Sequence, residues 1–403
     1  MLSLLLALQV AAPQNDALRY DITLVPADTG THLLGEVETT WRLATPDPIV
    51  VRLDSSMRVV RVLIDGRPNT RISRTEYGRS GVDVLVPHAK HAGDSITTRI
   101  RYHGLAAGGA KVGSNGQGDR IFFAAGRGDS ARYWLPVPEH PELDRTSATF
   151  RVQTPVEERA IANGTLEKVD TLPYGHAVWH YRMDTPAPIG SLAAGTGPYR
   201  VRSLPAGRCV GCPAIEVWSY RQGVDSGAVG RAPRIVEFYA ARVGRYPYPR
   251  LAYVEAPVGA ALASPGIVFL PEGSLAGGGP ADSTLALETA RQWFGLGISA
   301  AQPEDRWITD GLARYVASLW REPTGRPPAA GRAKPLPEDV RGALALHRLR
   351  AITGDSAFFA GLARFTADHM HGSATRADFV RSMSAVAGRD LDRDLRQAFD
   401  RAK

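Results

Sequence analysis

Four groups of side chains in this 403-residue sequence have types and spacings that could do chemistry. The first is Glu288, inside Leu287-Glu288-Thr289-Ala290-Arg291-Gln292-Trp293-Phe294-Gly295. A helix carboxylate can serve as a general base, but it needs a partner that acidifies the water it would deprotonate, and most helix glutamates are simply solvated. The second is His369-Met370-His371, two imidazoles without a neighbouring third ligand, which read as a surface helix end. The third is a pair of hydroxyls, Ser264 and Ser283. None of the ten histidines lies between residues 181 and 346, so neither serine has local support for a Ser-His-Asp system. The fourth is Cys209-Val210-Gly211-Cys212. Two sulfurs do not close a structural zinc site, which takes four ligands. A redox pair normally opens a helix, whereas here Pro205-Ala206-Gly207 and Pro213 flank the cysteines and a strand-like Ile215-Glu216-Val217-Trp218 follows. A small disulfide across a hairpin turn, Cys209 to Cys212, fits this pattern in an oxidising compartment.

The elements that must position these groups divide the chain in two. Residues 16–203 read as β: Tyr20 to Val25, Gly35 to Leu43 and Ile49 to Leu53 alternate, and Arg58 to Ile64 ends at Asp65-Gly66, a hairpin signal. Short strands with turns every eight to twelve residues predict a sandwich or saddle-shaped β domain. Gly108 to Gly118 reads as a mobile glycine-rich loop, and it matches no phosphate-binding pattern because no strand-to-helix junction surrounds it. Asn163-Gly164-Thr165 reads as a turn. From residue 204 to 403 the pattern turns helical. A helix is expected over 229–244, stopped by Tyr246-Pro247-Tyr248-Pro249, and another over Thr284 to Gly295 with Ser283 as N-cap. Arg321 to Pro337 reads as a loop, and the last 65 residues as helices.

Composition sets the class. Apolar residues make up 44% and charged residues 22%, which suits a packed globular protein. The net charge is +7, carried almost wholly by arginine, since only five residues are lysine. The arginines are scattered, so no nucleic-acid partner is expected. The N-terminal Met1 to Ala12 is apolar and ends in small residues, as the core of a secretory leader does. Residues 1–15 are therefore expected to form a signal segment of an exported protein, periplasmic or secreted. No further membrane span is expected, because nothing else approaches the roughly 18 apolar residues required.

The Gln292-Trp293-Phe294-Gly295 run resembles the end of the zinc helix of the membrane alanyl aminopeptidase (gluzincin) family, His-Glu-x-x-His-Gln-Trp-Phe-Gly. Trp307-Ile308-Thr309-Asp310-Gly311-Leu312-Ala313-Arg314-Tyr315 is similar to the family's Trp-x-x-Glu-Gly-Phe-Ala-x-Tyr, at the family's spacing. Tyr246-Pro247-Tyr248, Pro265-Gly266-Ile267-Val268, Trp134-Leu135-Pro136, Asn163-Gly164 and Gly197-Pro198-Tyr199 extend the likeness over nearly the whole chain. The resemblance implies an α+β fold, with a saddle-like all-β domain followed by a thermolysin-like α/β domain and a helical tail. It also implies a site from which the chemistry has been removed. The two zinc-binding histidine positions are Leu287, which offers no lone pair, and Arg291, a permanent cation. The third ligand position is Asp310, one methylene shorter than the family's Glu. The amine-binding position is Ala263, and the oxyanion tyrosine position is Asp339. Only Glu288, at the general-base position, is retained. Without a metal the site lacks both the Lewis acid and the lowered water pKa. Arg291 is expected to pair with Asp310 and Glu288, standing in for the cation. The expectation is a non-catalytic pseudo-peptidase that binds peptide or protein in the cell envelope, without cofactor. The alternative is an active zinc aminopeptidase with a divergent site, the only reading under which zinc is expected.

Overall fold

A computed structural model describes residues 15–77, 81–126, 128–205, 207–220, 227, 229–275, 282–321 and 335–402. All but the last residue of the leader expected over residues 1–15, and most of the loop expected over Arg321 to Pro337, lie outside these residues.

The N-terminal half is built on an eight-stranded sheet. Its strands run in the order Thr165–Leu172, His176–Pro188, Arg145–Pro155, Asp16–Pro26, His32–Arg42, Ser95–Leu105, Met57–Ile64 and Arg67–Pro68. Only the pair Asp16–Pro26 with Arg145–Pro155 is parallel. Burial alternates along Asp16–Pro26 and His32–Arg42, as period-two side-chain placement demands when one sheet face is covered. Tyr20, Ile22, Val37, Trp41, Tyr102 and Phe150 fill the covered side. The Asp65-Gly66 turn joins Met57–Ile64 to Arg67–Pro68, with both residues at positive φ (46° and 76°), as a tight hairpin requires. The glycine-rich stretch 108–118, expected as a loop, instead contains the strand Ala110–Ser114, paired with Arg120–Ala125. The Asn115 carboxamide oxygen accepts the Gln117 and Asp119 N–H groups at 2.9 Å and closes the turn that pattern reading took for a loop.

Half-buried Asp144 marks where strand Asp16–Pro26 starts. Its Oδ2 accepts the Ala17 N–H at 3.2 Å. Burial pushes the Asp144 carboxyl up from 3.8 to about 7, with Asp16 repulsion adding to the rise and the Ala17 bond opposing it. An acid whose folded value lies above its unfolded value holds its proton more tightly when folded. Stability therefore falls as pH rises from about 4 to about 7. Asp144→Asn should flatten that fall, as judged by urea unfolding at pH 4, 5.5 and 7.

The second half centres on a five-stranded sheet in the order Arg200–Ser203, Ala214–Ser219, Arg250–Ala256, Ile267–Pro271, Leu262–Ser264. Strand Arg200–Ser203 pairs with Ala214–Ser219, so the expected domain boundary after residue 203 falls at the end of the second sheet's first strand. The helices are α1 (Ala232–Val243), α2 (Asp282–Ala290), α3 (Arg306–Arg321), α4 (Glu338–Thr353), α5 (Asp355–His369), α6 (Arg376–Ala387) and α7 (Asp392–Asp400). α1 ends at Gly244 (φ 99°), three residues before the first proline. α3 and α4 cross closely, because a Cβ on Gly311 would stand 2.9 Å from the Gly342 Cα. Among the described residues no helix is long and apolar enough to cross a membrane.

Two expectations for α2 are corrected. Ser283 is its second residue rather than its N-cap, and the helix ends at Ala290 instead of Gly295. Arg291 still donates its N–H to Leu287 at 3.0 Å. After that, Gln292 and Trp293 bond three residues back, while Leu296, Gly297 and Ile298 bond five residues back. The side chains explain the break. The buried Gln292 amide accepts the Gly266 N–H (2.8 Å) and the Tyr246 hydroxyl (3.3 Å), and donates to the Ser264 and Ile267 carbonyls (3.1 and 3.3 Å). Trp293 Nε1 donates to the Gly244 and Arg245 carbonyls. Tertiary bonds override helix propensity here.

Candidate functional site

The turn after α2 and the strand Leu262–Ser264 face the β half across a cleft of about 380 Å³. Ala263, Arg291 and Asp310 line it from the second half, and Gly126, Glu142, Gly190 and Ser191 from the first. The halves are fastened around it. Asn163, fully buried, donates to Ser264 Oγ and the Pro265 carbonyl at 2.8 Å each and accepts the Ala193 N–H at 2.6 Å. Arg145 donates to Ser299 Oγ (2.9 Å) and to the Pro186, Leu296 and Gly297 carbonyls. Arg306 pairs with Glu142 at 3.1 Å.

Three of the residues singled out from sequence meet here. Glu288 is 4% exposed. Its Oε1 takes a charge-assisted bond from Arg291, and its Oε2 accepts the Ala263 N–H at 3.0 Å. The position where the resemblance puts the amine-binding carboxylate thus contributes a backbone N–H to the retained glutamate. Each Glu288 oxygen thus has a partner within the protein.

Arg291 pairs with Glu288 and not with Asp310, which corrects half of the expected arrangement. A guanidinium three residues from a carboxylate reaches it along one helix face, whereas Asp310 stands exposed on α3. Leu287 points no donor at the cleft and packs on the apolar core of the second half. Asp339 does not line the cleft. It sits in the first turn of α4, where Arg314 holds it at 2.7 Å and the helix N-terminus favours its charge. Cys209 and Cys212 are joined in a disulfide, with Cα atoms 5.2 Å apart, in the connection between the first two strands of the second sheet.

The positions where the resemblance puts zinc ligands hold an aliphatic chain, an ion-paired guanidinium and one carboxylate, a donor set that does not fit tetrahedral zinc, which takes three or four N, S or O donors. No group of three His, Cys, Asp or Glu side chains suited to a metal occurs among the described residues. The β-half lining residues had no sequence signal, and Asn163 stood out only as a turn residue and a point of the resemblance, because its tie is to a segment about one hundred residues away.

No family model matches the chain. A 113-residue stretch is 31% identical to Aminopeptidase O of Mus musculus, covering 27% of this chain and 13% of that protein. An 82-residue stretch is 33% identical to the Homo sapiens protein, over 10% of its length. The chain thus matches only a small part of these curated relatives. The crystal structure of the M1 zinc metallopeptidase from Deinococcus radiodurans superposes with a TM-score of 0.78 at 24% identity, covering 96% of this chain and 93% of that one. A mutant of the Deinococcus radiodurans protein bound to a Tyr-Ser-Ala substrate superposes with a TM-score of 0.79 at 23% identity, covering 96% and 94%. This chain has the M1 aminopeptidase fold. Within that fold the retained Gln292 and Trp293 are accounted for by packing, since each anchors the turn after α2 to neighbouring backbone.

Proposed function

We propose that the chain is an M1-family protein without peptidase chemistry, exported to the cell envelope, whose interdomain cleft binds peptide or protein. The observation that carries this reading is the clamp on Glu288. The general-base carboxylate is held by Arg291 and by the Ala263 N–H, so the cation at the second ligand position is part of the protein itself. A guanidinium can satisfy the buried charge, but it cannot lower the pKa of a bound water as a metal does. Ala263 supports the same reading, since it offers no carboxylate to a peptide's free amine. The disulfide suits an oxidising compartment.

Purified chain supplied with zinc should release no product from alanyl or leucyl anilides above a control with Glu288→Ala. Hydrolysis that a chelator abolishes would favour a divergent active enzyme instead.

A further inference from the structure

The chain's two cysteines stand apart from the cleft and from the function read there. Their disulfide closes a turn of four residues in the connection from Arg200–Ser203 to Ala214–Ser219. A cross-link over so short a loop removes little freedom from the unfolded chain, so it adds little stability. The connection is also fixed without it. Leu204 donates its N–H to the Ile215 carbonyl at 2.9 Å, and Ala214 donates to the Pro249 carbonyl at 3.1 Å. Arg208 donates its N–H to Glu237 on α1. Within the turn, Cys212 donates its N–H to the Cys209 carbonyl at 3.2 Å, and Gly211 supplies the positive φ (70°) that a tight turn asks of its third residue. The backbone therefore keeps the two sulfurs together whether or not they are bonded to each other.

The two sulfurs are not equivalent. Cys212 lines a cavity of about 520 Å³ beside Gly211 and Arg245, and Cys209 does not. Gly207 has no side chain to cover Cys212, since a Cβ there would stand 2.6 Å from its Sγ. The Cys209 N–H points at Cys212 Sγ, 3.1 Å away. The Arg245 guanidinium rests against Gly211, where a Cβ would displace it. A directed N–H and a nearby cation favour a thiolate at Cys212, the part that a helix N-terminus plays in other Cys-x-x-Cys pairs. Glu237, on the Gly207 side, opposes them, but its carboxylate is occupied by the Arg208 N–H. Val210, at the apex of the turn, is 90% exposed, so a second molecule has access.

We propose that Cys209–Cys212 is a thiol–disulfide exchange site whose substrate is a pair of thiols on another molecule. An incoming thiolate attacks Cys212 Sγ. A new S–S bond forms as the Cys209–Cys212 bond breaks, and Cys209 leaves as a thiolate. The second substrate thiolate attacks the substrate sulfur of this mixed disulfide and releases Cys212. The substrate is oxidised to a disulfide, the chain is reduced, and the two cysteines take up the two protons that the substrate thiols gave up. The chain has no third cysteine, so its reoxidation comes from a disulfide on another molecule.

Glutathione, two molecules of which supply the pair of thiols, is the probe. The folded full chain is equilibrated at pH 7, without denaturant, in glutathione and glutathione disulfide at a series of ratios, and its free thiols are counted by alkylation and mass spectrometry. The pair is expected to pass from oxidised to reduced within the series, with circular dichroism and the urea midpoint little changed. Single-cysteine variants read the asymmetry: Cys209→Ser, which keeps Cys212, should form a mixed disulfide with glutathione disulfide about tenfold faster than Cys212→Ser. If either variant does not fold, the order in which the two thiols of the reduced full chain are alkylated gives the same reading, with Cys212 first. A disulfide that glutathione leaves intact until the chain is unfolded, unfolding on reduction, or equal rates at the two sulfurs would overturn the proposal.

Discussion

Arg291→Met should destabilise the second half by about 2–4 kcal/mol, because it leaves the Glu288 carboxylate buried with only the Ala263 N–H for company. The lower part of that range applies if water reaches the site, since the Arg291 side chain is 22% exposed. Glu288→Gln should cost less, about 1 kcal/mol, because the amide oxygen can still accept the Ala263 N–H and the freed guanidinium can turn to solvent. Combining the two substitutions should recover most of the Arg291→Met loss, since no stranded charge remains. Urea unfolding of the three variants measures the cycle. Equal losses for the two single variants, with full additivity in the double, would mean that the clamp contributes nothing specific.

Gln292→Leu should cost about 3–5 kcal/mol, the largest loss expected from any single change near the cleft. Leucine fills similar space but leaves the Gly266 N–H and the Ser264 and Ile267 carbonyls without their partner. The strand Leu262–Ser264 is an edge strand of three residues, and Gln292 joins Asn163 and Glu288 in holding it. Amide exchange should show Ile267 and its neighbours opening earlier in Gln292→Leu than in the unmodified chain. A stability within about 0.5 kcal/mol of the unmodified chain would remove the structural explanation for Gln292.

These two neighbours mark how far the sequence could be read. The strand alternation at Tyr20–Val25 and Gly35–Leu43 was legible because a half-covered sheet imposes period two on every residue. The β-then-helical order of the chain and the Gln-Trp-Phe-Gly run were legible for a similar reason, as local strings with few alternatives. The length of α2 was not, because its end is set by bonds from Gln292 and Trp293 to segments 25 to 49 residues away. Pairing of Arg291 with Glu288 was partly legible, since a three-residue spacing puts the two on one helix face. The expected pairing with Asp310 depended on how α2 and α3 are set against each other, and spacing within one helix carries no such information. Asp339 illustrates the same limit: its partner, Arg314, lies on another helix.

Zinc content bears most directly on whether the clamp has replaced the metal. The chain would be incubated with excess zinc, passed over a desalting column and analysed for metal by mass spectrometry against protein concentration. The clamp of Arg291 on Glu288 predicts far less than one zinc per chain, and a melting temperature that a chelator does not move. One zinc per chain, retained through the column and lost to the chelator together with stability, would contradict it.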